Sequence, residues 1–435
     1  MGNTLLAGYS RKDFTPEYEV CISGYGDDEV RRSQGISDHM YITCIAVTGE
    51  NDTVLLFTSD LLSNHPDAAD WIRDRVSPLT GVAPDHIFCG ATHSHSAPLL
   101  YGDQADTVRF REEYLQAATA AAVDAMADRC ESKLYAGTKE LPRLNFVRHY
   151  LMEDGTYSGS NFGDWKLACV AHATETDPRM MLVRFVRQEK PDILLMNWQA
   201  HNDTVRETGY YLLSSGYVHH IRQQFETDTG MHFAFFQGAS GNQNKNSRIK
   251  EEEHGLNWIA YGQRLAKEAQ AMLPDLTPVQ GTTIKTCQVM FEAEIDHSWD
   301  PMIEQAQEVF DLWKNVGKPE GDALGKTYGF SSSYQTRDII KRYGLPASEE
   351  MELNAFSIGD LGFVTSYNEV FSTVGWHVRA NAPFEKVFFI TGNCRYLPCA
   401  AAYDYRSYES DTGLYAKGTA EKVQVKMVEM LHNVK

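Results

Sequence analysis

The stretch His86-Ile-Phe-Cys-Gly-Ala-Thr-His-Ser-His-Ser-Ala-Pro98 is the most informative segment of this 435-residue chain. Its first half is apolar and predicts a short buried strand, and its second half is a polar turn that carries two histidines. His93 and His95 are two residues apart, so on extended backbone both side chains would point the same way. Two interpretations are open from this stretch alone: the histidines hold a metal ion or act on a substrate, or they only bond neighbouring backbone.

Strands and helices alternate around this stretch, and the alternation predicts the fold class. The runs 41–48 and 53–58 are rich in β-branched and aromatic residues and predict two strands. A helix is expected from about 66 to 77, and an alanine-rich helix from about 109 to 128. This spacing favours an α/β fold, which we expect to form a single large domain over residues 1–435, with mixed β-sheet layers flanked by helices.

Several later apolar runs end in polar side chains. The nearly continuous apolar run 193–200 is followed by His201, and the run 233–236 is followed by the amide-rich loop 237–246. A further pair of predicted strands leads to Glu369. Ligands of open α/β sheets bind at the carboxyl ends of the strands, so we expect a metal site at these strand ends.

Two single acids and one acidic triplet also have a simpler explanation. Asp60 follows a predicted strand and either belongs to a site or caps the helix that begins near Pro66. Glu369 lies close to a predicted helix start, where a carboxylate stabilises the helix dipole without any further role. The acidic triplet 251–253 predicts the start of a helix that runs to about 273.

Two further segments are expected to form a cover and a surface loop. Residues 301–345 are polar and mostly helical, which is typical of a helical cover over one face. Residues 151–163 form a polar loop with glycines, and this loop is a candidate lid or pocket wall.

The composition excludes several classes of partner. The net charge of −19 argues against a nucleic-acid or anionic-membrane surface, since both need clustered Lys and Arg. No window approaches the roughly 18 apolar residues of a membrane span, and the N-terminus has no secretion-signal pattern. Eight cysteines without a Cys-x-x-Cys pair are typical of reduced thiols. We expect a cytoplasmic protein with a small-molecule substrate, no nucleic acid and no membrane anchoring, and a homo-oligomer is compatible with the sequence.

The residues by themselves favour a metal hydrolase. Two histidines and one carboxylate with an open position are an ordinary ligand set for catalytic zinc. The chain has no His-Glu-x-x-His motif, so a zinc site carried by a single helix is excluded.

The chain also resembles the catalytic domain of the neutral/alkaline non-lysosomal ceramidases. The paired-histidine block and the tyrosine-rich tail are the specific motifs of this resemblance. The shared segments occur in the same order along nearly the whole chain: Gly8 to Pro16, Thr92 to His95, Trp198 to His201, Gln237 to Asn246, Glu369, and Tyr396 to Glu409. The resemblance implies a divergent, bacterial-type member without the family's C-terminal immunoglobulin-like domain and secretion signal.

The resemblance assigns roles to individual residues. It implies that one zinc ion is held by two histidines, a glutamate and a tyrosine, namely His93, His201, Glu369 and Tyr396. It implies that the groups that polarise the substrate and handle protons are His95, Arg148 and Tyr408. The loop residues expected to contact the substrate are Gln237, Asn242 and Asn244.

Three departures from the family pattern indicate a changed substrate. Asn244 stands where the family has a serine that engages ceramide. Arg395 stands where a glycine is expected before the zinc tyrosine, and the local pattern 145–148 around Arg148 is altered. We therefore expect a small or polar substrate rather than ceramide.

Three functions are compatible with the sequence. The first is zinc-dependent hydrolysis of a C–N bond in a linear amide by metal-activated water. The second is a metal-dependent hydrolase or lyase that acts on an ester, a lactone or a carbohydrate-derived substrate. The third is a non-catalytic binding protein on the same fold, which the retention of every residue assigned to the zinc site argues against.

Overall fold

A computed structural model of the chain describes residues 4–26, 30–159, 167–203 and 209–435. The strands in these ranges are, in chain order, β1 (Leu5–Asp13), β2 (Gly35–Ile36), β3 (Tyr41–Thr48), β4 (Thr53–Ser59), β5 (Ile87–Ala91), β6 (Cys130–Glu140), β7 (Phe146–Val147), β8 (His149–Met152), β9 (Tyr157–Gly159), β10 (Cys169–His172), β11 (Arg179–Arg187), β12 (Ile193–Trp198), β13 (Leu212–Leu213), β14 (His232–Gln237), β15 (Gln243–Asn244), β16 (Thr277–Pro278), β17 (Ile284–Glu294), β18 (Ser348–Ile358), β19 (Leu361–Ser366), β20 (Glu369–Val370), β21 (Lys386–Thr391) and β22 (Tyr396–Leu397).

The α-helices of the described ranges are α1 (Pro66–Thr80), α2 (Ala105–Ala127), α3 (Tyr217–Thr229), α4 (Trp258–Met272), α5 (Ile303–Asn315), α6 (Lys318–Thr327), α7 (Ser333–Arg342), α8 (Ser372–Asn381), α9 (Ala400–Asp404), α10 (Tyr408–Asp411) and α11 (Thr419–Asn433). Within the described residues, none of these helices combines the length and the apolar character needed to cross a membrane.

Two mixed sheets form the centre of the molecule. The larger sheet has the strand order β14-β12-β11-β6-β1-β3-β4-β5, with β16 beside β6. Its strands are mostly antiparallel, but β5 runs parallel to β4 and β14 runs parallel to β12. The smaller sheet has the order β17-β18-β19-β21, and β21 runs parallel to β19. The expected mixed β-sheet layers are therefore confirmed.

The two sheets pack face to face over a shared apolar core. Alternation along each strand sorts the side chains, so that Leu56 faces this core while Leu55 and Phe57 face the helices. Phe356 of the smaller sheet stacks between Phe88 and Phe363, with ring centroids 4.4 and 4.3 Å apart. This stack joins the two sheets through side chains that are almost fully buried.

Helices cover both outer faces. Helices α1 and α2 pack on the β1, β3, β4 and β5 side of the larger sheet, and α3 and α4 pack on its β11, β12 and β14 side. Helices α8 and α11 cover the outer face of the smaller sheet. The order helix, sheet, sheet, helix is the α/β architecture that the sequence predicts, and it is confirmed.

Helices α5, α6 and α7 stand apart from these layers and are called the cover below. They bury a small apolar cluster of their own, which includes Val309, Phe330 and Ile339. Residues 301–345, which the sequence predicts as a helical cover, contain all three helices.

Two local predictions differ from the structure. The acidic triplet 251–253 does not open a helix, since Lys250–Glu252 form a single 3₁₀ turn and Gly255 has φ +64°. Helix α4 begins only at Trp258, where the side chain of Asn257 accepts a hydrogen bond from the Ala260 amide at 2.9 Å. Left-handed backbone at a glycine ends one turn, and a capping side chain starts the next helix.

Asp60 is neither a helix cap nor part of the candidate site. The N-cap of α1 is His65. The buried Asp60 carboxylate instead accepts hydrogen bonds from Arg222 Nη2 and the Tyr41 amide, each at 2.9 Å. Of the candidate lid, residues 160–163 lie outside the described residues, and the remainder forms the β8–β9 hairpin.

Candidate metal centre

The candidate site lies where several strands end. His93 and His95 follow β5, and His201 follows β12. A parallel β-bridge between Ser94 and Asn202 joins these two loops, and the His95 amide donates to the Asn202 carbonyl at 3.2 Å. The bridge explains why histidines 108 residues apart in sequence share one site.

The backbone at His93 is left-handed, with φ 61°. His93 and His95 do converge on one site, with the ligand atoms of His93, His95 and His201 within 4.8 Å of one another, but not through strand alternation, because the chain is not extended there. A left-handed non-glycine residue costs on the order of 1–3 kcal/mol, so the surrounding contacts must hold it. One of these contacts joins His93 Nδ1 to the Leu62 carbonyl at 2.9 Å.

Three potential ligand atoms form a compact triangle. His93 Nε2 lies 3.1 Å from His201 Nε2, and Glu369 Oε2 lies 3.4 Å from each of these nitrogens. His95 Nε2 lies 3.2 Å from His93 Nε2, so it borders the same space. Zinc binds imidazole nitrogen and carboxylate oxygen at about 2.0–2.2 Å, and atoms with these separations can all reach one ion.

The protonation states fit a cation in this space. The Nδ1 atoms of His93 and His201 face the carbonyls of Leu62 and Ser240, which leaves the two Nε2 lone pairs pointing at each other. Burial lowers the pKa of both imidazoles, so neither histidine gains a proton readily. A bound cation relieves the repulsion between these lone pairs.

A cation in this space would also compensate Glu369. Burial raises the pKa of this carboxyl to about 8, although Arg148 acts to lower it. Its Oε2 atom has no hydrogen-bond partner among the described residues. A buried carboxylate oxygen without a donor is costly, and a metal ion removes that cost. The chemistry of the donor set and this orphaned oxygen therefore fit a divalent metal such as zinc.

Tyr396 lies next to Glu369 because β20 and β22 pair in parallel, with these two residues opposite each other. The Tyr396 hydroxyl hydrogen-bonds to Glu369 and accepts a hydrogen bond from Arg148 Nη2 at 3.1 Å. Burial and the neighbouring Glu369 raise the pKa of Tyr396 well above its ordinary value. Its role as a fourth metal ligand stays a prediction.

Arg148 is held by a glutamate that the sequence reasoning did not assign. Glu409 Oε1 accepts from Arg148 Nε at 2.6 Å, and Glu409 Oε2 lies 2.7 Å from His149 Nε2. All three side chains are buried. Burial raises the pKa of Glu409, but the charges of His149 and Arg148 outweigh it and bring the pKa to about 2. The available sequence signal was the acid directly after Tyr408 in the tail motif.

Hydrogen bonds hold the 237–246 loop next to the centre. Gln237 Nε2 donates to the carbonyl of Ala200 and to Ser240 Oγ, both at 2.7 Å. Asn242 exchanges hydrogen bonds with the amide and hydroxyl of Ser372. Asn244 lies in β15, paired with β7 beside Arg148. These contacts fix the loop that positions His201, and the predicted substrate contacts stay predictions.

The early glycine loop packs against the second histidine. Gly24 has φ +125°, and a Cβ atom there would lie 2.7 Å from His95 Cα. The buried Arg31 donates to the His95 carbonyl at 2.9 Å and lies over the rings of Tyr25 and Tyr210. This loop therefore fixes the backbone of His95.

A cavity of about 380 Å³ adjoins the centre. Glu369, Tyr396 and Tyr408 line its inner end, and the rings of the two tyrosines lie 6.0 Å apart. Burial raises the pKa of Tyr408, which therefore stays protonated and can donate a hydrogen bond. The outer wall comes from the cover and from the chain around Arg395 and Leu414. The sequence reasoning did not identify these cover residues as part of the site.

Comparison with known proteins identifies the fold. No family model and no curated protein sequence matches the chain. Among solved structures, the neutral ceramidase from Pseudomonas aeruginosa matches with a TM-score of 0.72 and 16% identity, over 99% of this chain and 74% of that chain. A ceramidase complexed with C2 matches with a TM-score of 0.70 and 16% identity, over 99% of this chain and 75% of that chain. The chain therefore has a neutral ceramidase-like fold, and the resemblance predicted from its sequence motifs is confirmed.

Proposed function

We propose that this protein is a zinc-dependent hydrolase that cleaves a C–N amide bond in a small or polar substrate. The observation that carries the proposal is the triangle of His93 Nε2, His201 Nε2 and Glu369 Oε2, in which the carboxylate oxygen has no hydrogen-bond donor among the described residues. The ceramidase-like fold supports the hydrolase class, and it does so as an analogy.

The residues of the centre divide the chemistry between them. His93, His201 and Glu369 hold the metal, with Tyr396 as the fourth ligand that the family resemblance implies. When bound, zinc supplies Lewis acidity and lowers the pKa of a water to about 7. His95 Nε2, at the edge of the group, takes up a proton and delivers it to the leaving amine nitrogen.

Arg148 and Tyr408 stabilise the negative charge that develops on the carbonyl oxygen. A donor in this role is typically worth about 3 kcal/mol. Glu409 fixes the guanidinium of Arg148, so little reorganisation is needed during the reaction. No protein nucleophile is required, and Asn244 in place of the family's serine therefore does not remove the chemistry.

The cavity supports a small substrate rather than ceramide. Its volume of about 380 Å³ lies near the lower end of the roughly 300–1,000 Å³ that ligand pockets span. Leu345 and Leu414 are the only aliphatic side chains on its wall within the described residues. A cavity of this size has little room for the long acyl chain of ceramide.

The test combines metal analysis with a panel of N-acyl substrates. We expect the wild-type protein to bind about one zinc per chain and to hydrolyse at least one linear amide. His93→Ala should lose the metal and about 100-fold or more of the activity, since the ligands that remain hold zinc only weakly. The control His39→Ala changes an exposed histidine that pairs with Asp13, and it should leave the metal content and the activity unchanged.

Two results would contradict the proposal. Wild-type protein without stoichiometric metal after zinc loading, together with a fully active His93→Ala variant, would remove the metal from the mechanism. Efficient release of sphingosine from ceramide in detergent micelles would overturn the small, polar substrate.

A further inference from the structure

The guanidinium of Arg148 is held through two of its nitrogens and leaves the third one free. Nε and Nη2 both lie against Glu409 Oε1, at 2.6 and 2.5 Å. Nη2 also donates to the Gly241 carbonyl at 3.0 Å and to the Tyr396 hydroxyl at 3.1 Å. Nη1 has no hydrogen-bond partner among the described residues, nor is it one of their fully enclosed polar atoms. Nη1 is therefore the nitrogen that can donate to a substrate oxygen, and the bonds of Nε and Nη2 set its direction.

Glu409 has its two carboxylate oxygens on different partners. Oε1 accepts from Arg148, and Oε2 lies 2.7 Å from His149 Nε2. The Glu409 side chain is only 1% exposed, so water does not compete for either oxygen. The last torsion of a glutamate is only loosely restricted by itself. The bond to His149 therefore fixes the plane of the carboxylate and, with it, the oxygen that holds Arg148.

His149 is bonded at both of its ring nitrogens. An ionised carboxylate only accepts hydrogen bonds, so Nε2 carries the proton that is directed at Glu409. Nδ1 lies 2.9 Å from the Tyr405 hydroxyl, which donates to it when the imidazole is neutral. The ring of Tyr405 stacks on Tyr157 of the β8–β9 hairpin, with centroids 5.0 Å apart. A continuous path of hydrogen bonds thus runs from Tyr405 through His149 and Glu409 to Arg148.

The geometry of the ion pair is not the one that stability alone favours. An arginine and a carboxylate bind most strongly fork to fork, with one oxygen on each of two nitrogens. Here Nε and Nη2 share Oε1, which leaves Oε2 for His149. Arg148 also contacts Tyr396, which lies opposite Glu369 in the β20–β22 pair. A rotation of the guanidinium would therefore be felt at the candidate metal centre.

We infer that His149 and Tyr405 are positioning residues of the reaction, which act through Glu409 to direct the guanidinium of Arg148 at the substrate. The inference rests on the proposed amide hydrolase function, in which Arg148 stabilises the oxyanion. Neither residue touches the substrate, and both determine the rate through the direction of Nη1. Because a misplacement of about 1 Å in an active site can cost roughly 100-fold in rate, they affect turnover more than substrate binding.

The experiment uses the zinc-loaded full-length protein and an amide that the wild type hydrolyses. Tyr405→Phe removes only the hydroxyl, and the ring can still stack on Tyr157. We expect kcat to fall by roughly 3- to 10-fold with KM and zinc content unchanged, since one neutral hydrogen bond is lost. Tyr343→Phe is the matched control, because Tyr343 is 53% exposed and lies outside this path, and it should leave kcat unchanged.

Two variants of His149 separate positioning from stability. His149→Gln can still donate to Glu409 from its amide nitrogen, whereas His149→Phe cannot. We expect kcat to fall by roughly 100-fold in His149→Phe and by less than about tenfold in His149→Gln. A melting curve reports which variants are folded, and Tyr405→Phe decides the matter if His149→Phe is not. Folded variants of His149 and Tyr405 with a lower melting temperature but the wild-type kcat per bound zinc would overturn the inference.

A double-mutant cycle tests whether the path acts through Arg148. Arg148→Lys keeps a positive charge beside Glu409 but lacks the planar fork. If Tyr405 acts through Arg148, Tyr405→Phe should lower kcat by less than about twofold in the Arg148→Lys background. The same several-fold loss in both backgrounds would mean that Tyr405 acts elsewhere, which contradicts the inference.

A spectroscopic measurement separates this inference from the proposed function. In proton–nitrogen NMR spectra, the Nε–H signal of Arg148 is identified by its absence in Arg148→Lys. We expect Tyr405→Phe to shift this signal and to speed its exchange with solvent by about tenfold or more, while Tyr343→Phe leaves it unchanged. A wild type that hydrolyses no amide would contradict the hydrolase, and these changes would still support the positioning of Arg148. An unaltered Arg148 signal in Tyr405→Phe would contradict the positioning whatever the activity.

Discussion

Two buried glutamates in one centre have pKa values that are shifted in opposite directions. Burial raises the pKa of Glu369 to about 8, and its Oε2 atom has no hydrogen-bond partner among the residues that the structure describes. Glu409 is buried even more deeply, but bonds to Arg148 and His149 bring its pKa to about 2. The protein therefore compensates one carboxylate itself, whereas a metal ion would compensate the other in the proposed centre.

Replacement of Glu409 tests this difference at the residue scale. The folded-state pKa lies below the ordinary value of 4.5, so ionised Glu409 stabilises the fold fully above about pH 4.5, and this contribution is lost as the pH falls towards 2. Glu409→Gln leaves Arg148 and His149 without their carboxylate and should lower the free energy of unfolding by about 3–5 kcal/mol at neutral pH. Urea denaturation at a series of pH values measures the difference.

The pH dependence makes the test specific. The gap between wild type and Glu409→Gln should narrow steadily between about pH 4.5 and pH 2. Glu17→Gln serves as the control, because Glu17 is exposed at the surface, where the loss should stay below about 0.5 kcal/mol. A gap for Glu409→Gln that does not depend on pH would show that the pair does not shift the pKa.

At the scale of elements, the centre depends on how closely the connecting loops approach one another. The loop after β14 meets the backbone that carries Glu369, and the Gly241 amide donates to the Val370 carbonyl at 2.9 Å. A Cβ atom at position 241 would lie 2.4 Å from the Glu369 carbonyl oxygen. Only glycine therefore allows this contact, which aligns Glu369 with His201.

Gly241→Ala should push the loop away from Glu369. We expect a stability loss of about 1–3 kcal/mol, as is usual when a packed site must accept an extra carbon. Zinc affinity, measured with a competing chelator, should fall as well. Gly325→Ala, on α6, is the matched control. A Cβ atom there would make only ordinary van der Waals contacts, and alanine favours a helix. Unchanged zinc affinity in Gly241→Ala would separate this contact from the metal centre.

At the scale of the whole molecule, the shared core between the sheets holds the two halves of the centre together. His93 and His201 follow strands of the larger sheet, whereas Glu369 and Tyr396 follow strands of the smaller sheet. The stack of Phe88, Phe356 and Phe363 lies between these sheets. The ligand geometry therefore depends on how the two sheets are packed.

Phe356→Ala should cost about 3–5 kcal/mol, because it opens a cavity at a fully buried position between the sheets. We expect the variant to unfold in one cooperative transition at a lower denaturant concentration than the wild type. Far-UV circular dichroism and the release of zinc should both report this transition at the same concentration. Val425→Ala, at a position on α11 that is 48% exposed, should change stability by less than about 0.5 kcal/mol. Zinc release well before the loss of secondary structure would show that the sheets separate independently.

Local patterns in the sequence determined much of the fold. The bounds of β3 agree with the predicted run 41–48, and β4 exceeds the predicted run 53–58 by one residue, because alternating or continuous apolar residues are a local signal. The predicted helix at 251–257 failed, since Gly255 and the Asn257 cap outweighed three favourable acids. The same local patterns identified His93, His95 and His201 as polar groups at strand ends.

Only the tertiary structure decided how these groups are combined. Glu409 meets Arg148 across 261 positions of sequence, and the cavity forms where the cover meets the tail of the chain. Burial, which sets the pKa of Glu369 and leaves its Oε2 atom without a hydrogen-bond partner among the described residues, is a property of the packed molecule. The sequence by itself determined which side chains end the strands, because that is local. The distances between these side chains, their charge states and their hydrogen bonds required the folded chain, because they depend on contacts between distant residues.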